Sequence, residues 1–215
     1  MIAPLWASVN FTAITSLPST SINIRQHRRR RSQSCGGEIR KLRDRRAARA
    51  AARHNVSVGR IYTREKLVAA RAEWKRQGKT VVFTNGCYDI LHPGHVRLLE
   101  QARSLGDVLV LALNGDASVR RLKGPGRPFT PERDRAELAA ALAAVDAVTL
   151  FDEDTPRELV SALLPDILVK GADWAHWVAG REEVEAAGGR VLTLPLEPGY
   201  STTGIVAEIL TRNPL

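Results

Sequence analysis

The tetrapeptide His92-Pro93-Gly94-His95 places two imidazoles, a rigid residue and a residue without a side chain within four positions. It follows an apolar run at residues 80–83 and opens a helical pattern over residues 96–104. The spacing predicts imidazoles presented where a strand hands over to a helix. The first turn of a helix exposes unpaired N–H groups and carries a partial positive charge, so such a junction is a natural seat for phosphate. Pro93 suits a first helical turn, where its missing N–H is not needed, and Gly94 lets backbone and ligand approach closely. Two histidines at this spacing can also ligate a metal or merely pack. Only Cys87 and Asp89 stand close enough in sequence to join them, and they form no familiar ligand spacing with the pair. Packing is disfavoured because the motif sits among polar loop residues. A nucleotide phosphate site fits best, with no residue assigned as a metal ligand.

The elements that must position this motif read as alternating strands and helices. Thr63 caps a helix to about residue 77, with Leu67, Ala70 and Trp74 on one face and Gly78 at its end. A continuous apolar run at 108–113 is a buried strand. Thr130-Pro131 and Thr155-Pro156 each offer a cap followed by proline, opening helices to about residues 144 and 164. Further strands are expected at 147–151, 167–169 and 191–194, with a closing helix at 203–210. About five near-continuous apolar strands separated by helices imply a parallel α/β sheet covered on both faces.

Ligands of such sheets lie beyond the carboxyl ends of the strands. Asn85-Gly86 and the His92 motif follow the first strand, Asn114-Gly115-Asp116 the second, Lys170-Gly171-Ala172-Asp173 the fourth, and Gly199-Tyr200-Ser201-Thr202-Thr203 the fifth. Each has an ordinary reading as turn chemistry. Together they describe one crevice, with glycines for close approach, donors for phosphate, and acids for hydroxyls or a metal. Lys123 lies in a stretch read as a Gly/Pro loop, Arg121-Leu122-Lys123-Gly124-Pro125-Gly126-Arg127, leaving the same edge. It is expected to be a mobile cation that closes over a polyphosphate, assisted by Arg127.

Charge divides the chain. The 215 residues carry a net charge of +9, yet residues 1–60 hold 13 Lys and Arg against 2 acids, leaving residues 61–215 mildly acidic. The first sixty residues read as a basic, disordered extension, with an upstream addition to a start at Val56 or Val58 as one account of it, since Met1 is the only methionine. Such a tail could bind polyanions, whereas the acidic body argues against a nucleic-acid groove. Cys35 and Cys87 fall on opposite sides of the division, which gives no disulfide framework, and no apolar run is long enough to cross a membrane. A cytoplasmic protein is expected, and homo-oligomerisation is left open.

No nucleophile stands beside a base, and Ser201 sits in a cap-like Ser-Thr-Thr, so covalent catalysis is unsupported. The phosphate-cradling pattern GxxxxGK[ST] is also absent. Imidazoles, a helix N-terminus, a lysine and Mg²⁺ suit direct phosphoryl or nucleotidyl transfer, in which positioning and charge stabilisation supply most of the acceleration.

The stretch Thr84-Asn85-Gly86-Cys87-Tyr88-Asp89-Ile90-Leu91-His92-Pro93-Gly94-His95 resembles the signature of the cytidylyltransferase-like nucleotidyltransferases, whose HxGH motif binds nucleotide phosphates. Arg121 to Gly124, Arg127-Pro128, Val145-Asp146, Asp154-Thr155-Pro156, Leu164-Pro165-Asp166, Val169 to Asp173 and Ser201-Thr202-Thr203 extend the likeness over about residues 61–211, in the order seen in heptose 1-phosphate adenylyltransferases. This resemblance implies a Rossmann-like domain over residues 61–215 that makes ADP-heptose and pyrophosphate from ATP and a heptose 1-phosphate, with Mg²⁺. It implies catalytic roles for His92, His95 and Lys123. Nucleotide contacts are implied for Thr84, Asn85, Gly86, Tyr88, Asp89, Gly94, Arg127, Arg135, Lys170, Gly171, Asp173, Ser201, Thr202 and Thr203. Glycerol 3-phosphate cytidylyltransferases carry an arginine where this chain has Leu196, which favours adenylyl over cytidylyl transfer. Fused relatives carry a sugar-kinase domain for which the remaining residues are too few, so a separate kinase is expected to supply the substrate.

Overall fold

The computed structural model describes residues 59–172 and 177–213. The basic extension, apart from its last two residues, lies outside the described residues. The expected strands form a sheet with one more member than anticipated: β1 (Arg60–Tyr62), β2 (Val81–Gly86), β3 (Val108–Asn114), β4 (Ala147–Phe151), β5 (Ile167–Gly171) and β6 (Arg190–Leu194). Their order across the sheet is β1-β4-β3-β2-β5-β6, and every pairing is parallel. The chain thus fills one side of β2 with β3 and β4, then returns to its other side with β5. That reversal opens a crevice between the carboxyl ends of β2 and β5.

Strand residues alternate between the two faces, and here both faces are covered. Val81, Phe83, Val108, Val110 and Ala112 join a core with Leu67 of α1 (Arg64–Arg76), with Leu159, Val160 and Leu163 of α5 (Arg157–Leu163), and with Val184 of α6 (Arg181–Ala186). Val82, Leu109, Leu111 and Leu113 face the other way, against Leu99 and Ala102 of α2 (Pro93–Arg103) and Ala136, Ala139 and Ala140 of α4 (Glu132–Ala140). This double burial is why β3 reads as an unbroken apolar run.

The strand β1 escaped detection because it is a three-residue edge strand with little apolar content to bury. Ile61 is 53% exposed, and the strand is held by pairing Arg60 with Ala147 and by a Gly59 N–H donating to the Ala140 carbonyl at 2.8 Å. A Cβ on Gly59 would sit 2.5 Å from the Val145 carbonyl oxygen, so only glycine allows that approach.

Two other expectations are corrected. Residues expected to form the start of a loop are helix α3 (Asp116–Lys123), which ends at Gly124 with φ 95°. Lys123 is therefore the last residue of a helix, with the loop beginning after it. The helix α4 starts after Pro131 and does not use Thr130 as a cap. The Thr130 backbone is committed elsewhere: its N–H donates to Asp89 and its carbonyl accepts from Arg135. Likewise α5 starts after Pro156, with no side-chain cap from Thr155. Thr63 does cap α1, and Ser201 caps the last helix, α7 (Thr202–Arg212), by accepting the Gly204 N–H at 2.9 Å.

Leu111 is wholly buried at the sheet centre, and truncating such a leucine removes its transfer free energy and leaves a cavity. Leu111→Ala is expected to lower unfolding stability by about 3 kcal/mol, and Ile61→Ala by less than about 0.5 kcal/mol, as read from urea denaturation midpoints.

Candidate active site

The carboxyl edge of the sheet encloses a cavity of about 460 Å³. From β2 and the turn after it come Thr84, Asn85, Gly86, Cys87, Tyr88 and Asp89, and from the start of α2 come His92, Gly94 and His95. Lys123 and Arg127 reach it from α3 and the following loop, Lys170 and Gly171 from β5, and Ser201, Thr202 and Thr203 from the start of α7. These residues are scattered over 120 positions, and parallel pairing brings them to one edge. Of the residues singled out in the sequence, Asp173 lies outside the described residues, and Arg135 does not line the cavity.

The two imidazoles are fixed by the helix they begin. His92 is the N-cap of α2, in extended conformation, and its Nδ1 accepts the His95 N–H at 3.4 Å while Pro93 takes the first helical position. With Nδ1 accepting, Nε2 is the nitrogen left to carry the proton. The His92 and His95 rings stack at 3.7 Å with 16° between planes, and Tyr88 lies against the other side of His95 at 4.6 Å. Burial pushes the His95 pKa down to about 4, with the neighbouring His92 adding to the effect. Burial also lowers the His92 pKa. The pair is uncharged near pH 7, so what it offers the cavity is N–H donation beside the positive end of α2.

A second set of interactions shapes the wall. The Asp89 carboxylate is almost wholly buried and accepts from Arg127 Nε, from the Phe129 N–H at 2.7 Å and from the Thr130 N–H at 2.9 Å. One carboxylate thus ties residues 127–130 to the end of β2. Behind it, the Arg135 guanidinium has no exposure. It donates to the Cys87 carbonyl at 2.6 Å, the Thr130 carbonyl at 2.9 Å and the Asp116 carboxylate at 2.7 Å. Arg135, expected to contact the nucleotide, is placed behind the wall, where three of its N–H groups fasten three segments of it.

Lys170 donates to the Asn85 side-chain oxygen at 2.9 Å, bridging β5 and β2 at the sheet's point of reversal. Lys123 is exposed and forms no ion pair among the described residues, which leaves its ammonium for a ligand. Burial raises the Cys87 thiol above its ordinary pKa, so it is a poor thiolate and a poor nucleophile. Among the described residues, no three His, Cys, Asp or Glu side chains converge to hold a metal. The carboxylate of Asp89 is already engaged, and Asp154 pairs with Arg121 at 2.7 Å. A divalent ion suits this donor set as a passenger on nucleotide phosphates, with few or no protein ligands.

Sequence reasoning missed part of the lining. Asp154, Thr155 and Pro156 follow β4, so extending the strand-end rule to that strand finds them. Leu98, Leu122, Trp177, Leu196 and Tyr200 give the cavity an apolar flank. Of these, Tyr200 lies in the strand-end motif and Leu196 in the segment just before it, whereas nothing in the local pattern of Leu98, Leu122 and Trp177 separates them from other surface apolar residues.

A family model described as cytidylyltransferase-like matches residues 83–208. The chain belongs to the cytidylyltransferase-like family. It is a nucleotidyltransferase, and the matched span runs from β2 to within α7, taking in all of the cavity. The bifunctional protein HldE of Syntrophotalea carbinolica is 55% identical over 154 residues, which is 71% of this chain and 31% of that protein. HldE of Mesorhizobium japonicum is 60% identical over 139 residues, 64% of this chain and 28% of that one. The chain thus spans about a third of the length of these relatives. A crystal structure described as the lipopolysaccharide core biosynthesis protein from Thermoplasma volcanium superposes with a TM-score of 0.46 at 29% identity, covering 56% of this chain and 98% of that one.

Two measurements probe this cytidylyltransferase-like site without substrate. Asp89→Asn weakens the anchor of residues 127–130, and hydrogen exchange at the Phe129 and Thr130 amides is expected to speed up at least about tenfold while β3 amides are unchanged. Protonation of His95 links folding to pH. The folded-state pKa near 4 lies below the ordinary value of 6.5, so the unfolded chain binds more protons in between. The contribution is complete above about pH 6.5 and falls as acid approaches pH 4. Between pH 8 and pH 5 the His95 share of the stability loss is expected to be about 2 kcal/mol, and a His95→Asn variant should show a correspondingly shallower pH dependence in denaturant titrations.

Proposed function

We propose that this nucleotidyltransferase transfers the adenylyl group of ATP to a heptose 1-phosphate, giving ADP-heptose and pyrophosphate. The observation that carries the reading is the gathering of uncharged His92 and His95, the α2 N-terminus and the unpaired ammonium of Lys123 around one cavity. Likeness to the HldE proteins over the same residues supports the choice of sugar phosphate, and Leu196 in place of a cytidylyltransferase arginine supports ATP as donor.

A phosphate oxygen of the sugar 1-phosphate attacks the α-phosphorus of ATP in line. The new O–P bond forms as the bond to the β-phosphate bridging oxygen breaks, and pyrophosphate leaves with that electron pair. No protein nucleophile is needed, in keeping with the half-buried Cys87 thiol, whose pKa is raised by burial. The His92 N–H and the α2 N-terminus donate to oxygens that gain charge at the α-phosphate, with His95 stacked behind. Lys123 neutralises the β- and γ-phosphates as they depart. Lys170, Asn85, Ser201, Thr202 and Thr203 orient the nucleotide, and the motif resemblance assigns the nucleoside's acidic contact to Asp173, which lies outside the described residues. Asp89 and Arg127 keep the closing loop in register. Mg²⁺ bound to the triphosphate would supply further charge neutralisation there, with few or no ligands from the protein.

A sugar kinase acting earlier supplies the heptose 1-phosphate. The proposal puts the reaction in the cytoplasm, where ATP and sugar phosphate are both supplied. No helix among the described residues is long and apolar enough to cross a membrane.

Purified protein with ATP, Mg²⁺ and heptose 1-phosphate is expected to release pyrophosphate. His92→Ala and Lys123→Ala should each lower kcat by about 10²-fold or more. Release that is equal in the wild type and both variants rejects the mechanism, and turnover with CTP but not ATP rejects the adenylyl assignment.

A further inference from the structure

Five planar groups form one column along the start of α2. Its inner end is the buried Tyr88 ring, 4.6 Å from His95. His95 stacks on His92 at 3.7 Å, and the Tyr200 ring lies beyond His92 at 6.2 Å with 21° between planes. At the outer end the Arg97 guanidinium sits over the Tyr200 ring, 5.5 Å from its centre, and forms an ion pair with Glu197. Residues 197–200 are thereby fastened to the first turns of α2, although about a hundred positions separate them in the chain.

Gly94 permits this approach. A Cβ at that position would stand 3.0 Å from the Tyr200 Cβ and 3.1 Å from His92 Nδ1, so a side chain there would push the tyrosine from the histidine. The central glycine of the tetrapeptide serves two purposes: it opens the helix start to a ligand and leaves the slot into which Tyr200 packs.

We propose that Tyr200 is a positioning residue, closing the outer face of the His92 imidazole and holding that ring in the column so that it meets phosphate from one fixed direction. The consequence for transfer rests on the role given above to His92, but the contact itself does not. Offset stacking uses the ring face, so phenylalanine at this position preserves it, whereas a flexible aliphatic residue does not. Covering the imidazole also removes water from it, in line with the lowered pKa of His92. The titratable and charged groups around that ring are His95 on its own helix and Tyr200 from the segment before α7, with Arg97 and Glu197 behind the tyrosine. Lys123 and Lys170 line the same cavity.

The test compares wild type, Tyr200→Leu and Tyr200→Phe in the full chain. Tyr200 is 41% exposed, so neither substitution threatens the core. The first arm follows the His92 imidazole by NMR from pH 4 to 8 without substrate. In Tyr200→Leu its pKa is expected to rise by about half a unit or more, as water reaches the ring, and in Tyr200→Phe to match wild type. The second arm measures transfer with MgATP and heptose 1-phosphate. There Tyr200→Leu should lower kcat about tenfold with KM for ATP within about twofold, and Tyr200→Phe should restore it. An unchanged His92 titration in Tyr200→Leu overturns the proposal. So does a rise in KM with kcat retained, which would make Tyr200 a nucleotide contact. If wild type turns over no acceptor, the proposed function fails while the titration still decides the role of Tyr200.

Discussion

Parallel pairing of β2 between β3 and β5 is the constraint on which the site depends. Six residues of β2 are registered against β3, and three of them also pair with β5. Because the strands run the same way, each hands its following segment to the same edge. The reversal of strand order beside β2 leaves a gap at that edge that no connection crosses. Slipping the register by one residue would turn Phe83 and Val82 towards the wrong layers, so burial on both faces specifies it strongly. The polar groups at the strand ends are therefore located chiefly by apolar contacts made elsewhere in the sheet.

Within that frame the site handles charge economically. Arginine and aspartate are abundant near the cavity, yet most are already paired: Arg127 with Asp89, Arg135 with Asp116 and Arg121 with Asp154. Breaking one partner of a buried pair leaves an uncompensated charge, so the first two pairs act as scaffolding under strong constraint, whereas the Arg121 and Asp154 side chains are exposed. The groups to which the proposed function assigns the phosphates are weak or distant charges: the two uncharged imidazoles, the helix end and the exposed Lys123 ammonium. A site that is not strongly cationic when empty does not need to repel its own parts, and it gains charge balance when the anion and its cation enter together.

The imidazole column links these two levels. His92 caps α2 and faces the cavity, and His95 is packed between it and the buried Tyr88 ring. The backbone at Tyr88 has φ 47°, in the left-handed region that few side chains adopt. Its ring lies over Gly86, where a Cβ would approach to 2.9 Å. The turn from β2 to α2 is thus shaped to place an aromatic ring under the histidines, and its glycine is required by that ring.

Much of this was legible in residue order. The apolar run of β3 and the cap of α1 announced themselves through periodicity and turn chemistry, and the spacing of the His92 tetrapeptide marked the start of α2. The residues that escaped were those whose local pattern carries little signal. Ile61 lies in a three-residue edge strand with little to bury, and α3 has only Ser118 and Val119 inside, followed by a Gly/Pro stretch that reads as loop. Arg135 illustrates the deeper limit. An arginine among site motifs reads as a phosphate ligand, and only its complete burial against Cys87, Thr130 and Asp116 shows a structural fastener. By itself the sequence determined the strand-helix alternation and the kinds of groups at the strand ends, because those depend on neighbours a few residues apart. Tertiary structure alone decided which charges are spent on one another, which remain for a ligand, and that Tyr200 lies on His92, because those outcomes depend on distances between segments that the chain brings together only when it folds.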